Sequence, residues 1–486
     1  MGPSLSKTPT SPDRNRPAFH ITAPSGWLND PNGIVHADGR YHVFFQHNPE
    51  APRPANIHWG HTSSPDLVNW TSEPIALRPR PGRPDSFGCW TGVVTEDGGR
   101  QVAAYSAVED SSGSSVILLA HADPSLTTWT QDTEPAAEMP DDPEVVAMRD
   151  PCLFRHGDRR YAVVGAGLTG NRAAILLFDC EQLDAWRYLG TLLTSDDPTA
   201  QRYAPAHIWE CPQLVELDGR WVLIVSLWHG GDADHQLPGV SYLVGDLVTT
   251  DGGLQLTVSG GGRVDAGPDF YAPQAVPIGG RILQWGWSWE TRDQALVDAA
   301  GWAGTLTWPR ELSLTSGGEL HSRPAPELDQ LVAGTLVSSP APVVEISADA
   351  WVAIVRPDPQ PGETLRLVLN CPPGAEDDAA GNEAALGITV TAHQHGWSAR
   401  WDIGPSVVQG APDLGTGTTL QAGAPEIRII VDGSIIEAFC GALPPRTCRA
   451  YRTAADGGWA LELEADQAVL DRTALTVSEL ARPTHG

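Results

Sequence analysis

Lysine is nearly missing: Lys7 is the only one in 486 residues, so almost all positive charge is carried by arginine. The 31 basic residues face 60 acidic ones, a formal net charge of −29. A surface so acidic repels the phosphates of nucleic acid and of anionic membranes, which argues against both as partners. Long apolar runs are missing too. No stretch approaches the roughly 20 residues that a membrane span requires. The opening MGPSLSKTPTSPDRNRP lacks the apolar centre of a secretory signal, which predicts a cytoplasmic protein. The cysteines, at 89, 152, 180, 211, 371, 440 and 448, are odd in number and scattered, with no CxxC pair of the kind that binds zinc. Free thiols in a reducing compartment follow.

Turn-formers, by contrast, are plentiful, with 50 glycines and 42 prolines. Many of them punctuate one recurring hairpin signature: an apolar run, a Gly-containing turn with Arg, then a second apolar run. It reads GIVHADGRYHVFF, GVVTEDGGRQVAAY, CLFRHGDRRYAVV, QLVELDGRWVLIV and QAVPIGGRILQW. Alternating β-branched and aromatic residues around Asp-Gly or Gly-Gly are a strong hairpin signal. The turn glycines Gly39, Gly99, Gly157, Gly219 and Gly280 are 60, 58, 62 and 61 residues apart. Four nearly equal steps predict five repeated all-β units, which a five-bladed β-propeller accounts for.

The repeat also serves as a map, because residues at one phase of a propeller converge on its axis. Nine residues before the turn glycines stand Asp30, Trp90, Met148, Glu210 and Tyr271, with Arg149 and Asp150 just after Met148. Seven residues after them stand Gln46, Ser106, Val164, Ser226 and Trp287. Three acids, Asp30, Asp150 and Glu210, are thereby expected at one funnel mouth. Taken singly each has a blander reading. Asp30 lies in WLNDPNG, which fits a type I turn with Asp first, Pro second and Gly last; Asp-Pro recurs at Asp123, Asp142, Asp197 and Asp358. Arg149–Asp150 alone suits a surface ion pair, Glu210 a solvated strand end, and most of the 18 tryptophans blade packing. The shared phase sets the three acids apart.

From about Arg323 the 60-residue step stops. SRPAPELDQLVAG predicts a connector with a short helix, and WVAIVR, TLRLVLN, LGITVTA, EIRIIVDGSIIEAFC and WALELEA predict strands, with a hairpin at Asp432-Gly433. The expected organisation is a disordered tail over 1–16, a five-bladed β-propeller catalytic domain over 17–322, a linker over 323–342 and a C-terminal β-sandwich over 343–486. The role of that last domain is open between packing against the propeller and binding a ligand or a second subunit.

Two carboxyl groups whose surroundings separate their pKa values can divide the work of glycoside hydrolysis, one attacking and one donating a proton. Trp59, Trp90 and Trp287 offer aromatic faces for a sugar, and Asn29, Gln46 and Arg149 offer donors. At this point a resemblance is plain. WLNDPNG, YHVFFQHNP, IHWGHTSSPDLVNW, GCWTG, MRDP, WECPQL, DFYAPQ and WPREL look like the ordered motif series of glycoside hydrolase family 32, and RIIVDGSIIEAF is similar to that family's C-terminal sandwich.

The resemblance implies β-fructofuranosidase, or invertase, chemistry. Asp30 would be the nucleophile at the anomeric C2, Glu210 the general acid and then base, and Asp150 the transition-state stabiliser beside Arg149. Asn29, Gln46, Trp59, Trp90, Thr91 and Trp287 would line the fructose pocket. Donors such as the backbone N–H groups of the Asp30 turn would keep Asp30 ionised; apolar neighbours and the Asp30 charge would keep Glu210 protonated. Retention would need the Asp30 and Glu210 carboxyls about 5 to 5.5 Å apart, with no cofactor and no metal. Family members often carry Phe-Ser-Gly-Ser where this chain has Cys89-Trp90-Thr91-Gly92, and Phe where it has Met148, so substrate preference and transglycosylation are less defined than the fructosyl chemistry. Expected substrates are sucrose and short fructo-oligosaccharides. A fructosyltransferase or an exo-fructanase for inulin or levan uses the same machinery, and a non-catalytic sugar-binding propeller would have lost an acid. Phosphorylated sucrose lacks a lysine cluster to receive it, with an arginine pocket still open; assembly into a homo-oligomer is also left open.

Overall fold

A computed structural model describes residues 13–110, 114–230, 236–251, 253–371, 384–403, 425–452 and 457–482. Its elements are almost all strands, arranged in seven antiparallel-rich sheets. Five of these follow one another along the chain. Their first strands are Gly26–Ala37, Gly88–Asp97, Val145–His156, Ile208–Leu217 and Tyr271–Ile278. Each of these lies beside the next, and the fifth lies beside the first. The short strand Trp302–Ala303, which follows the fifth hairpin in sequence, pairs with Gly26 and Trp27 of the first sheet.

All five expected hairpins form. In four of the turns both central residues have positive φ: Asp38 and Gly39, Gly98 and Gly99, Asp218 and Gly219, Gly279 and Gly280. That is the type I′ geometry whose twist matches the flanking strands.

The Asp30 stretch departs from expectation. Asp30-Pro31-Asn32-Gly33 is not a turn but the middle of strand Gly26–Ala37. The register steps from Asn29 opposite Gln46 to Pro31 opposite Phe45, so Asp30 is an extra residue without a partner, a β-bulge. Pro31 is tolerated because the parallel ladder on the other side of the strand stops at Trp27. The other first strands slip at the same phase. Trp90 and Thr91 fall inside the slip of the second, Asp150 inside that of the third, Cys211 and Pro212 inside that of the fourth, Ala272 and Pro273 inside that of the fifth. Three of these bulged residues take positive φ: Asp150 at 64°, Cys211 at 47° and Ala272 at 45°.

Side chains from neighbouring sheets bond the backbone at and beyond these slips. Ser106 Oγ accepts from Asp150 N at 2.7 Å, Ser226 Oγ from Ala272 N at 3.1 Å, and Gln213 Oε1 from Ala275 N at 3.2 Å. Gln274 accepts from Ile34 N at 2.8 Å and donates to Gly92 O at 3.0 Å, linking three sheets. These bonds satisfy strand edges that have no ladder on that side.

The remaining two sheets contain six and five strands. They share one core that includes Trp351, Leu367, Ile388, Ile429 and Trp459, all fully buried. The predicted strands and the Asp432-Gly433 hairpin are present. Within the expected linker, Pro326–Leu331 is a short 3-10 helix, whereas Val332–Val337 is already a strand paired with Ala474–Leu480. Of the expected tail, residues 1–12 lie outside the described residues, and 13–16 are tied down. Asn15 donates to Arg452 O at 2.9 Å, and Arg14 pairs with Asp349 at 2.8 Å. All seven cysteines are free thiols. Among the described residues no helix is long and apolar enough to cross a membrane.

His20 joins the N-terminal segment to the C-terminal sheets. Its Nδ1 lies 2.8 Å from Asp432 and its Nε2 3.0 Å from Glu437, all three side chains being buried. Two carboxylate acceptors require a proton on both nitrogens. Although burial opposes that charge, the two acids push the imidazole up to about 9. A raised folded-state pKa contributes stability that is fully present below the unfolded value near 6.5 and is lost as pH rises through about 9. The contribution is on the order of 3 kcal/mol. His20→Gln is therefore expected to be less stable at pH 6.5 and to flatten the decline between about pH 6.5 and 9, as read from denaturant unfolding across that range.

Candidate active site

The bulges bring Asp30, Asp150 and Glu210 together, the first two almost wholly buried. Asp30 is held from three directions. Asn29 Nδ2 donates to Oδ1 at 2.9 Å; Thr91 Oγ1 at 2.6 Å and Gln46 Nε2 at 3.1 Å contact Oδ2. Asn29 is itself fixed by Trp27 Nε1 at 2.7 Å, and Gln46 also donates to Thr91 at 2.6 Å. Three residues expected to bind sugar thus orient the carboxylate.

Asp150 accepts from Cys211 N at 3.0 Å. Glu210 Oε1 accepts from Arg149 Nε at 2.9 Å, and the Arg149 guanidinium lies 6.0 Å from the Trp228 ring. The bland reading of Arg149–Asp150 as a surface ion pair does not hold: both are buried, and the arginine clamps Glu210.

Burial and mutual repulsion dominate the electrostatics. Burial pushes Asp30 up, against the hydrogen bonds from Thr91 and Asn29, and the Glu210 charge adds to the rise. The expected donors do act downward, the backbone N–H of Asp30 itself among them, but desolvation outweighs them, and the turn expected to supply more is absent. Asp150 is pushed up to about 7, first by burial and then by Glu210 and Asp30, with Arg149 and the Cys211 N–H opposing.

Two contributors had a sequence position but no assigned role. Tyr271, in phase with Glu210, places its hydroxyl 2.8 Å from Glu210 Oε2 and 2.8 Å from Leu227 O. One phenolic proton cannot serve both. With Glu210 protonated, the acid donates to the phenol, which turns to Leu227 O; with Glu210 ionised, the phenol donates to it. The pair is satisfied in both states. Cys211 lies between the acids, its Sγ 3.5 Å from Asp30 and 3.6 Å from Asp150. Burial raises its thiol well above the usual range, so it remains a weak donor. The signal for it was its place directly after Glu210 in WECPQL.

The aromatic expectations divide. Trp90 is half-buried, and its ring passes so close to Gly88 that a side chain there would collide at 2.8 Å. Trp287 packs edge-on against Trp27 at 5.7 Å and Trp289 at 5.9 Å. Trp59 offers no face to a sugar: it is fully buried, donating to Trp90 O at 2.9 Å from behind. The half-buried aromatic ring that the sequence reading omitted is Trp27.

Glycosyl hydrolases family 32, N-terminal domain, is the family description that matches, over residues 20–324. The chain belongs to glycoside hydrolase family 32. Among family 32 relatives, a sucrose-6-phosphate hydrolase of Escherichia coli is 33% identical over 338 residues, 65% of each chain. A fructan 1-exohydrolase of Hordeum vulgare is 32% identical over 345 residues, 65% of this chain and 55% of that one. The match spans about two thirds or less of these relatives' own length. Among solved structures, a family 32 β-fructofuranosidase of Bombyx mori superposes with a TM-score of 0.73 at 24% identity, covering 97% of this chain and 95% of that one. A sucrose-6-phosphate hydrolase of Lactobacillus gasseri gives 0.76 at 22% identity, covering 97% and 94%. These neighbours share the fold.

Proposed function

We propose that the protein is a retaining β-fructofuranosidase that releases fructosyl units from the non-reducing end of sucrose and short fructo-oligosaccharides. The observation that carries this reading is the convergence of Asp30 and Asp150, on the bulges of the first and third sheets' first strands, with Glu210, beside the bulge of the fourth, in a chain of this family. Asp30 attacks the anomeric carbon. Glu210 protonates the leaving oxygen, then takes the proton from the incoming water. Asp150 holds fructosyl hydroxyls and is restrained from attack by its position. Arg149 and Tyr271 keep Glu210 aimed in both protonation states. Sugar hydroxyls of the bound substrate donate to the carboxylates, which favours ionised Asp30 and Asp150. Trp27, Trp90 and Trp287 form the aromatic wall.

In the same reading the five successive sheets, from Gly26 to Pro324, are the blades of a five-bladed β-propeller, and the two C-terminal sheets, from Val332 to Leu480, form a β-sandwich. A neutral sugar is favoured over a phosphate ester. Two of the arginines outside the catalytic cluster already have acidic partners: Arg53, in the loop over 49–56, has Asp298, and Arg172 has Glu144 and Asp196.

The test is a panel of sucrose, sucrose phosphate, 1-kestose, inulin and levan with the purified protein, with the first-formed fructose anomer followed by NMR. Sucrose and 1-kestose are expected to be cleaved fastest, with β-fructofuranose appearing first. Initial release of the α anomer, or no fructose release, would overturn the proposal. Dominant oligosaccharide products at high sucrose would reassign it as a fructosyltransferase.

A further inference from the structure

The strand Arg446–Arg449 is the last of the six-stranded C-terminal sheet, so its outer edge needs a partner. The chain just before Tyr271 supplies one. Ala266 N donates to Pro445 O at 2.7 Å, Thr447 N to Asp265 Oδ1 at 2.9 Å, and Asp269 N to Thr447 O at 3.3 Å. Gly267 permits this approach, since a Cβ there would stand 1.8 Å from Thr447 O.

Asp269 then bridges two regions. Its Oδ2 accepts from Arg449 N at 2.7 Å, and its Oδ1 accepts from Trp289 Nε1 at 2.8 Å. Arg449 also donates to Ser288 O at 3.3 Å, next to Trp289. The Trp289 ring packs at 5.9 Å on Tyr271 and at 5.9 Å on Trp287. Tyr271 reaches Glu210 at 2.8 Å. A continuous set of contacts therefore runs from the C-terminal sheet edge to the acid.

We propose that Asp269 and Trp289 are positioning residues through which the C-terminal sheets set the placement of Tyr271, and thereby the proton transfer by Glu210. The proposal rests on the reading of Glu210 as acid/base. Asp269 is buried and faces Arg449, Arg446 and the Trp289 N–H. Tyr271 and Glu210 face Arg149, Cys211, Asp30 and Asp150. Glu290 and Arg292, beside Arg449 and Tyr451, complete the charged surroundings of the 288–292 segment. An Asp269→Asn side chain can accept from only one of its two donors with its single oxygen. Trp289→Phe keeps the ring but removes the N–H. Either change loosens Tyr271.

In both variants kcat on sucrose is expected to fall about ten- to hundredfold, the cost of slight misplacement of a reacting group, with KM nearly unchanged. A weaker phenol bond to the ionised carboxylate favours protonated Glu210, so the alkaline limb of the kcat/KM profile moves upward by about half a unit or more. In kcat/KM on an aryl β-fructofuranoside, whose leaving group needs little protonation, most of the loss disappears. Leu367→Ala, deep in the C-terminal core, serves as the control: it lowers the melting temperature and leaves the pH profile in place. An equal loss on both substrates with an unmoved profile would show that the Asp269 contact is only structural. Glu210→Gln is assayed beside them and is expected to lose about 10²- to 10⁴-fold in kcat/KM on sucrose but little in kcat/KM on the aryl fructoside, whose first step needs no acid. If Glu210→Gln hydrolysed sucrose normally, the acid/base reading itself would fall; if it behaved as expected while Asp269→Asn and Trp289→Phe matched wild type, only the coupling would.

Discussion

Asp30→Asn is expected to lower the rate of sucrose hydrolysis by about 10⁴- to 10⁶-fold, the scale seen when a covalent nucleophile is removed, while making the protein more stable. The activity loss follows from chemistry: an amide cannot form the fructosyl ester on which double displacement depends. The stability gain follows from the structure. Asp30 is buried, its charge opposed by desolvation and by Glu210, and it lies within reach of the Cys211 thiol that also faces Asp150. Removing one carboxyl from such a group relieves repulsion of about 1 kcal/mol, within the range of single stabilising substitutions. Asn29 Nδ2 can still bond the asparagine oxygen and the Thr91 hydroxyl can accept from its amide, so the bulge survives. Steady-state assays with sucrose and thermal unfolding on the same sample read the two effects. A variant that kept more than a hundredth of wild-type activity would remove Asp30 from the chemistry.

Arg310→Leu is expected to have the largest effect on stability, about 3–5 kcal/mol, the cost of leaving buried charges without their partner. Arg310, from the WPREL motif, is fully buried. It donates to Asp265 at 2.7 Å, to Glu437 at 2.9 Å and to Thr447 at 2.6 Å. Its guanidinium lies 4.9 Å from the Phe270 ring and 5.4 Å from that of Phe439. Leucine restores volume but leaves Asp265 and Glu437 facing each other's charge with one cation, His20, remaining beside Glu437. Arg310→Lys keeps the charge and loses the planar fork, so it should recover only part of the loss. Urea unfolding compares the three proteins. Equal midpoints for wild type and Arg310→Leu would contradict this account. Because Phe270 precedes Tyr271, loosening this contact should also weaken catalysis in the fraction that remains folded.

Much of the site was legible because the repeat is regular. Equal spacing of Gly39 to Gly280 made the five hairpins visible, and a common phase placed Asp30, Glu210 and Tyr271 at one level. What phase could not give was direction. Trp59 looked like a sugar platform but turns into the core behind Trp90, since a strand's side chains alternate and no motif says which face a given tryptophan takes. Asn29, Gln46 and Thr91 read as sugar donors, yet each bonds the Asp30 carboxylate. Arg149 read as a partner for Asp150 and instead bonds Glu210 across 61 positions of sequence.

The sequence alone determined the all-β composition, the hairpins, the identity of the three acids and their common level, because turn chemistry and period-2 patterns are local and repeat faithfully. Only the tertiary structure decided how those acids are aimed. WLNDPNG is a bulged strand and not a turn, because Gln46, Thr91 and the neighbouring sheets offer Asp30 and its strand better partners than a local turn would. The same holds for the C-terminal sheets: their strands were readable one by one, but the edge Arg446–Arg449 finds its cover in residues 265–269, about 180 positions away. No local pattern encodes such a pairing; it follows from which strand edges and buried charges remain unsatisfied once the sheets have formed.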